Sequence, residues 1–192
     1  MNAVTALTSP TPVKLTVDDF HLLHEAGAFA AYHKTELIDG VIVAMNAQWS
    51  AHAYVKTELA HRIATALEKM DSPLRVIVEA SLALPPFGEP QPDIAITSAT
   101  PSRAPLTPDT IALVIEVADT TGSFDLGRKS QIYAAGGIAE YWVVDLTKRE
   151  VRCFARADGD TWLGDNTVKL GDSVASVSII GLAIETSGFD FL

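Results

Sequence analysis

The chain has 192 residues, 48% of them hydrophobic and 20% charged, which is enough to bury a substantial core and too well balanced for general disorder. The formal net charge of -10 argues against a surface built for long-range attraction to a polyanion, although acidic metal ligands count as negative until a cation joins them. The lone cysteine, Cys153, excludes an internal disulfide; with no secretory signal and no apolar run long enough to span a bilayer, the chain is expected to be cytoplasmic.

Residues 1–13 are small, polar and proline-punctuated and read as a flexible tail ahead of one domain over 14–192. Thr16 is a good N-cap for a helix whose first turn holds Asp18 and Asp19 and which Gly27 can end. Asp39-Gly40 is a hairpin turn signal between the apolar runs of Glu36 to Met45. From Ser50 to about Met70, Val55, Leu59, Ile63 and Leu67 recur at helical spacing. Leu74–Leu84 reads as β-structure stopped by Pro85-Pro86, and Asp93–Thr97 reads as a short strand. Residues 98–110 form a proline-rich loop. Ile111–Ala118 is almost continuously apolar, the pattern of a strand covered on both faces. A helix over Asp125–Ala135 ends at Gly136-Gly137. The strand Glu140–Asp145 follows, then a hairpin partner at Val151–Ala155 and more strand through Ile184. This order predicts an α/β fold, a central mixed sheet flanked by helices. Tyr141, Trp142, Phe154 and the closing Phe189 to Leu192 are aromatic-rich segments suited to core or to an interface, with core the commoner fate.

Three charged residues break the core pattern. Glu116 interrupts the strand IALVIEVA, where a carboxylate costs several kcal/mol unless it is paired or binds a metal. Asp93 opens the run Ile94 to Ile96; it reads equally as a turn cap or, beside Glu116, as half of an oxygen-rich site for Mg2+ or Mn2+. Lys129 shares a helix face with Asp125 and Tyr133, four residues to either side, which suits a solvated ion pair as well as a site. Glu36 and His52 stand at ordinary surface positions by pattern. The five histidines show no zinc spacing, and the chain carries no Walker loop or dinucleotide fingerprint.

Several runs together resemble the Uma-two family of restriction-type endonucleases. They are Val114-Ile-Glu-Val117 and the stretch Asp125-x-x-x-Lys129-x-x-x-Tyr133-Ala-x-x-Gly137-Ile-x-Glu140-Tyr-Trp-x-Val-Asp145. Pro92-Asp93-Ile-Ala, Glu36-Leu-Ile-Asp-Gly40, His52 and Ile180-Gly-Leu-Ala-Ile184 fit the same family, so the likeness spans nearly everything after residue 14. The resemblance implies a restriction-endonuclease-like core of the PD-(D/E)xK superfamily, with Asp93 and Glu116 as the motif acids. The superfamily lysine normally stands two residues after the glutamate, where this chain has Ala118; Lys129 on the following helix is the match.

The implied chemistry is phosphodiester hydrolysis in nucleic acid, DNA before RNA, by a homodimer, because a duplex has two strands to cut. Asp93, Glu116 and the Val117 carbonyl are expected to hold the metal. Lys129 is expected to orient the attacking water and stabilise charge, with service as general base once a cation lies beside it. Glu36 is the supporting acid, and Tyr133, His52 and Asp125 complete the set. The alternatives are a catalytically weak or inactive nuclease fold serving as a binding module, and a buried ion network with no chemistry.

Overall fold

The computed structural model describes residues 11–45 and 47–189. Most of the tail read over 1–13 and the last three residues lie outside these. Helix α1 (Val17–Glu25) starts as its sequence dictates: Thr16 and Asp19 bond reciprocally in a capping box. Strands β1 (Lys34–Ile38) and β2 (Val41–Met45) form the expected hairpin. Its turn residues Asp39 and Gly40 both adopt positive φ, the conformation that favours an Asp-Gly pair there.

Helix α2 (Ser50–Lys69) buries Val55, Leu59, Ile63 and Leu67 in one stripe. Strand β3 is shorter than its apolar run suggests, ending at Val78 (Arg75–Val78), because Glu79 takes a positive φ that extended pairing does not accept. Strands β4 (Ile94–Thr97) and β5 (Ile111–Ala118) follow. Helix α3 is built from Gly122–Phe124, a π-turn over Asp125–Lys129, and Ser130–Ala135. It starts three residues earlier than the sequence suggests. Strands β6 (Glu140–Asp145), β7 (Glu150–Asp158) and β8 (Thr161–Lys169) come next, then the small strands β9 (Ser173–Ala175) and β10 (Ala183–Glu185).

The central sheet runs β3-β4-β5-β6-β7-β8 and is mixed: β5 and β6 are parallel, and the other neighbours are antiparallel. The α3 crossover joins the parallel pair, as a parallel connection requires. Side-chain alternation sends Leu113, Ile115, Val117, Trp142 and Val144 to the α2 face. Val114, Ala118, Tyr141 and Val143 go to the α3 face, where Tyr133 meets them. Tyr141, Trp142, Phe154 and Phe189 are all buried in the core. No helix among the described residues is long and apolar enough to cross a membrane.

One buried carboxylate ties the C-terminal segment to this sheet. Glu140, fully buried at the start of β6, accepts hydrogen bonds from Trp142 Nε1 at 2.8 Å and from the backbone N–H of Val177 and Ser178. The hydroxyls of Ser176 and Ser178 also donate to it, at 2.6 and 2.7 Å. Removing the acceptor breaks all of these bonds at once and leaves the buried Trp142 N–H without its partner. Glu140→Ala is expected to cost about 3 kcal/mol and to lower Tm by about 6–12 °C in a thermal melt. A loss under about 1 kcal/mol would show that the segment is held by apolar packing alone.

Candidate active site

Glu116 lies on the α3 face of β5, in line with Val114 and Ala118. Its Oε1 accepts from Lys129 Nζ and from the Tyr133 hydroxyl, both at 2.9 Å, and its Oε2 accepts from the Asp93 backbone N–H at 3.3 Å. Lys129 and Tyr133 reach it because α3 packs directly over the strand. The π-turn that ends at Lys129 widens the helix there, a distortion common where helices carry functional groups. Asp125 shares that face, with a carboxylate oxygen 4.0 Å from Lys129 Nζ; its side chain is held by the Thr121 hydroxyl at 2.6 Å.

Glu36 enters from the β1–β2 hairpin and is fully buried, not the surface glutamate its pattern suggests. Its two oxygens face Lys34 Nζ and Lys129 Nζ, each at 3.1 Å, yet neither approach has hydrogen-bond alignment. The lone pairs of a buried carboxylate are thus left open. Lys129 therefore bridges two acids from different elements, with 2% of its side chain exposed.

Asp93, just ahead of β4, joins the same cluster from the other side. Its Oδ2 accepts from the Val117 backbone N–H at 2.9 Å and lies 3.1 Å from His52 Nε2; its Oδ1 accepts from Gln48 Nε2 at 3.0 Å. His52 is buried rather than exposed, and its Nδ1 has no hydrogen-bond partner. Lys56, one turn further along α2, donates to Gln48 and Glu79 at 2.6 Å and stands 3.7 Å from Asp93 Oδ1. The structure thus brings Glu36, His52, Asp93, Glu116, Val117, Asp125, Lys129 and Tyr133 together. It adds Lys34, Gln48, Lys56 and Glu79, which sequence reading missed. Lys56 left a signal: it interrupts the apolar stripe of α2 beside Val55 and Leu59. Gln48 and Glu79 left none.

The electrostatics follow from burial and crowding. Burial pushes Glu116 up to about 8; Lys129 pulls it down, while Asp93, Asp125 and Glu36 add to the rise. Asp125 is raised as well, chiefly by burial. Burial works to raise Asp93 too, but His52 and the Val117 N–H hold it below the usual carboxylate range. For Lys129 burial favours the neutral amine, and the charges of Glu116, Glu36 and Asp125 outweigh it, so its pKa rises well above that of an ordinary lysine. Its ammonium stays charged, which suits charge stabilisation and not proton abstraction. Burial also keeps Tyr133 a neutral phenol that donates to Glu116.

Five carboxylates (Glu36, Glu79, Asp93, Glu116, Asp125) face three lysines (Lys34, Lys56, Lys129) in this cluster. Carboxylates outnumber ammonium groups here, and the crowding that raises Glu116 and Asp125 is what a bound cation would relieve. The donor atoms are hard oxygens, and Glu36 has lone pairs to spare, so the residues present fit Mg2+ or Mn2+. Among the described residues, no three His, Cys, Asp or Glu side chains form a ready cage. Magnesium is ordinarily held by one or two carboxylates with water and phosphate, and the Asp93–Glu116 pair offers that share. Asp93, His52 and the edge of β5 at Val117 open onto a cavity of about 490 Å³ between the β2–α2 connection and the start of α3.

Comparison with known proteins agrees with this architecture. A crystal structure of a "putative nuclease belonging to DUF820" from Anabaena variabilis ATCC 29413 superposes with a TM-score of 0.67, covering 91% of this chain and 97% of that one at 16% identity. At that identity the likeness speaks for the fold. No curated protein matches the chain. The family model described as "Putative restriction endonuclease" matches residues 17–187, from the first residue of α1 to two residues beyond β10. With nearly its whole length matched, the chain belongs to the Uma2 family.

Proposed function

We propose that the protein is a metal-dependent endonuclease that hydrolyses phosphodiester bonds in nucleic acid, with DNA the first substrate to try. The observation that carries this reading is the crowding of buried carboxylates around Glu116 next to Asp93, which itself lines an open cavity. Asp93, Glu116 and the Val117 carbonyl would hold Mg2+ or Mn2+. Such an ion supplies Lewis-acid activation of water and neutralises charge on the phosphate. The chain's own residues do the rest. Lys129, fixed between Glu116 and Glu36, presents a permanent positive charge to the phosphate and orients the attacking water. Tyr133 and the Asp93 N–H pin the Glu116 carboxylate, and His52 and Gln48 pin Asp93. Asp125 sets Lys129 from within its own helix. Paired cutting of a duplex would call for a homodimer, which sedimentation tests, and the lone buried Cys153 suits a cytoplasmic setting.

Two kinds of experiment test the reading, one on activity and metal binding and one on pH. In a cleavage panel of single- and double-stranded DNA and RNA with Mg2+ or Mn2+, wild type should cut and EDTA should stop it. Asp93→Asn and Glu116→Gln should abolish cutting, and Lys129→Met should lower kcat about 10²–10³-fold. Calorimetry should show metal binding lost in the double variant Asp93→Asn, Glu116→Gln. Metal binding without cleavage of any substrate would favour the inactive binding module. Equal cleavage by all variants would sink the site.

The second experiment uses pH. Glu116 binds its proton more tightly folded, at about 8, than its ordinary value of 4.5. Its raised value therefore favours the fold below about 4.5 and loses that contribution as pH rises through about 8. Without metal, Glu116→Gln should gain stability relative to wild type in melts between about pH 5 and pH 9. Added Mg2+ should reverse the gap by stabilising wild type alone. A gap that is flat with pH would contradict the crowding of charge on which the metal reading rests.

A further inference from the structure

The lining of the cavity beside Asp93 is mixed. Trp49, Phe124 and Met45 supply apolar surface, and Trp49 is 73% exposed at the N-terminal end of α2. Asp93, His52 and Lys34 supply polar groups. His52 lines the cavity too and is buried, with its Nε2 3.1 Å from Asp93 Oδ2. A volume of about 490 Å³ takes a small molecule or one nucleotide and is far too narrow for a duplex.

The charge of the chain bears on the same question. Duplex binding draws its affinity from many lysine and arginine contacts to phosphate, and a net charge of -10 does not provide that surface. Single strands add a second source of affinity to basic contacts, the stacking of unpaired bases on aromatic side chains, which a closed duplex does not offer. The exposed Trp49, lining the same cavity as Asp93, matches that mode.

We propose that this cavity receives one unpaired nucleotide of the substrate strand, its base stacked on Trp49 and its backbone directed to Lys34 and Asp93, so that the preferred substrate is single-stranded or locally unpaired nucleic acid. The proposal rests on the endonuclease reading and narrows its substrate. Phe124 adds a second aromatic ring from the α3 side, and Lys34, beside Glu36 at 3.1 Å, is the lysine that lines the cavity and can meet the phosphate.

The test is binding, read separately from hydrolysis. Fluorescence anisotropy of a labelled phosphorothioate oligothymidylate, with Mg2+ present, compares wild type with Trp49→Ala and sets the single strand against a duplex of equal length. The single strand should bind about ten-fold tighter than the duplex, and Trp49→Ala should weaken it about ten-fold, as the loss of one base stack does. In wild type the oligonucleotide should also shield tryptophan emission from acrylamide. That shielding reports Trp49, because Trp142 is buried and the half-buried Trp162 on β8 lies outside the cavity lining, and it should vanish in Trp49→Ala. Trp49 lies at the surface, and a matching thermal melt confirms that its replacement leaves the fold intact. Equal affinity for duplex and single strand, an unchanged Trp49→Ala, or no shielding overturns the proposal. Any of these leaves the endonuclease reading standing, since metal binding by Asp93 and Glu116 is measured without nucleic acid.

Discussion

The structure turns on one buried ammonium group. Lys129 Nζ lies 2.9 Å from Glu116 on β5 and 3.1 Å from Glu36 on β1, so a single charge joins the central sheet, the N-terminal hairpin and α3. Such a contact is a weak source of net stability, because desolvating three charges costs about as much as their attraction returns. Its consequence is geometric. None of the three can move without leaving a buried charge uncompensated, and this fixes the two acids and the helix relative to one another. Tyr133 and the Asp93 N–H also bond to Glu116, and Asp93 carries the restraint on to α2 through His52 and to the connection ahead of it through Gln48.

Much of this was legible in the sequence, for reasons that differ by residue. Glu116 stood out because a charge inside IALVIEVA has no cheap place to go. Lys129 and Tyr133 were found by their spacing from Asp125 on one helix face, and the resemblance supplied the link to Glu116. Glu36 and His52 were harder. Each sits where pattern reads a solvated residue, and each is buried because a distant element covers it: Lys129 reaches over Glu36, and Asp93 meets His52. Tertiary contacts of this kind leave no local periodicity. Strand β3 failed for the opposite reason. Its composition is β-like through Leu84, but the backbone at Glu79 turns to positive φ, placing that carboxylate on Lys56 and ending the ladder.

The acidity of the chain, an obstacle to a nucleic-acid reading at first sight, is partly local. Five carboxylates are gathered around the candidate centre, where a bound cation would offset them. What remains negative lies on the outer surface and acts on encounter, not on chemistry. A family of this fold can thus tolerate an acidic exterior if its substrate is captured by stacking and by the metal, and less readily if it must track a duplex by phosphate contacts alone.

The resemblance takes Lys129 on the helix in place of a lysine at position 118 of the strand, and the packing around position 118 agrees with that choice. Residues two apart on a strand share a face, so a lysine at position 118 would project on the same side as Glu116. Ala118 is fully buried there, and α3 begins almost on top of it: a Cβ placed on Gly122 would stand 3.8 Å from the Ala118 Cβ and 3.2 Å from Asp145 Oδ2. A four-carbon stem at 118 has no path past that helix start. Two turns further along, the same helix passes over Glu116, and the π-turn ends there at Lys129, whose ammonium reaches the Glu116 carboxylate at 2.9 Å. The close approach of the helix start to β5 thus leaves position 118 to a small side chain, while the same helix carries a lysine to Glu116 from above.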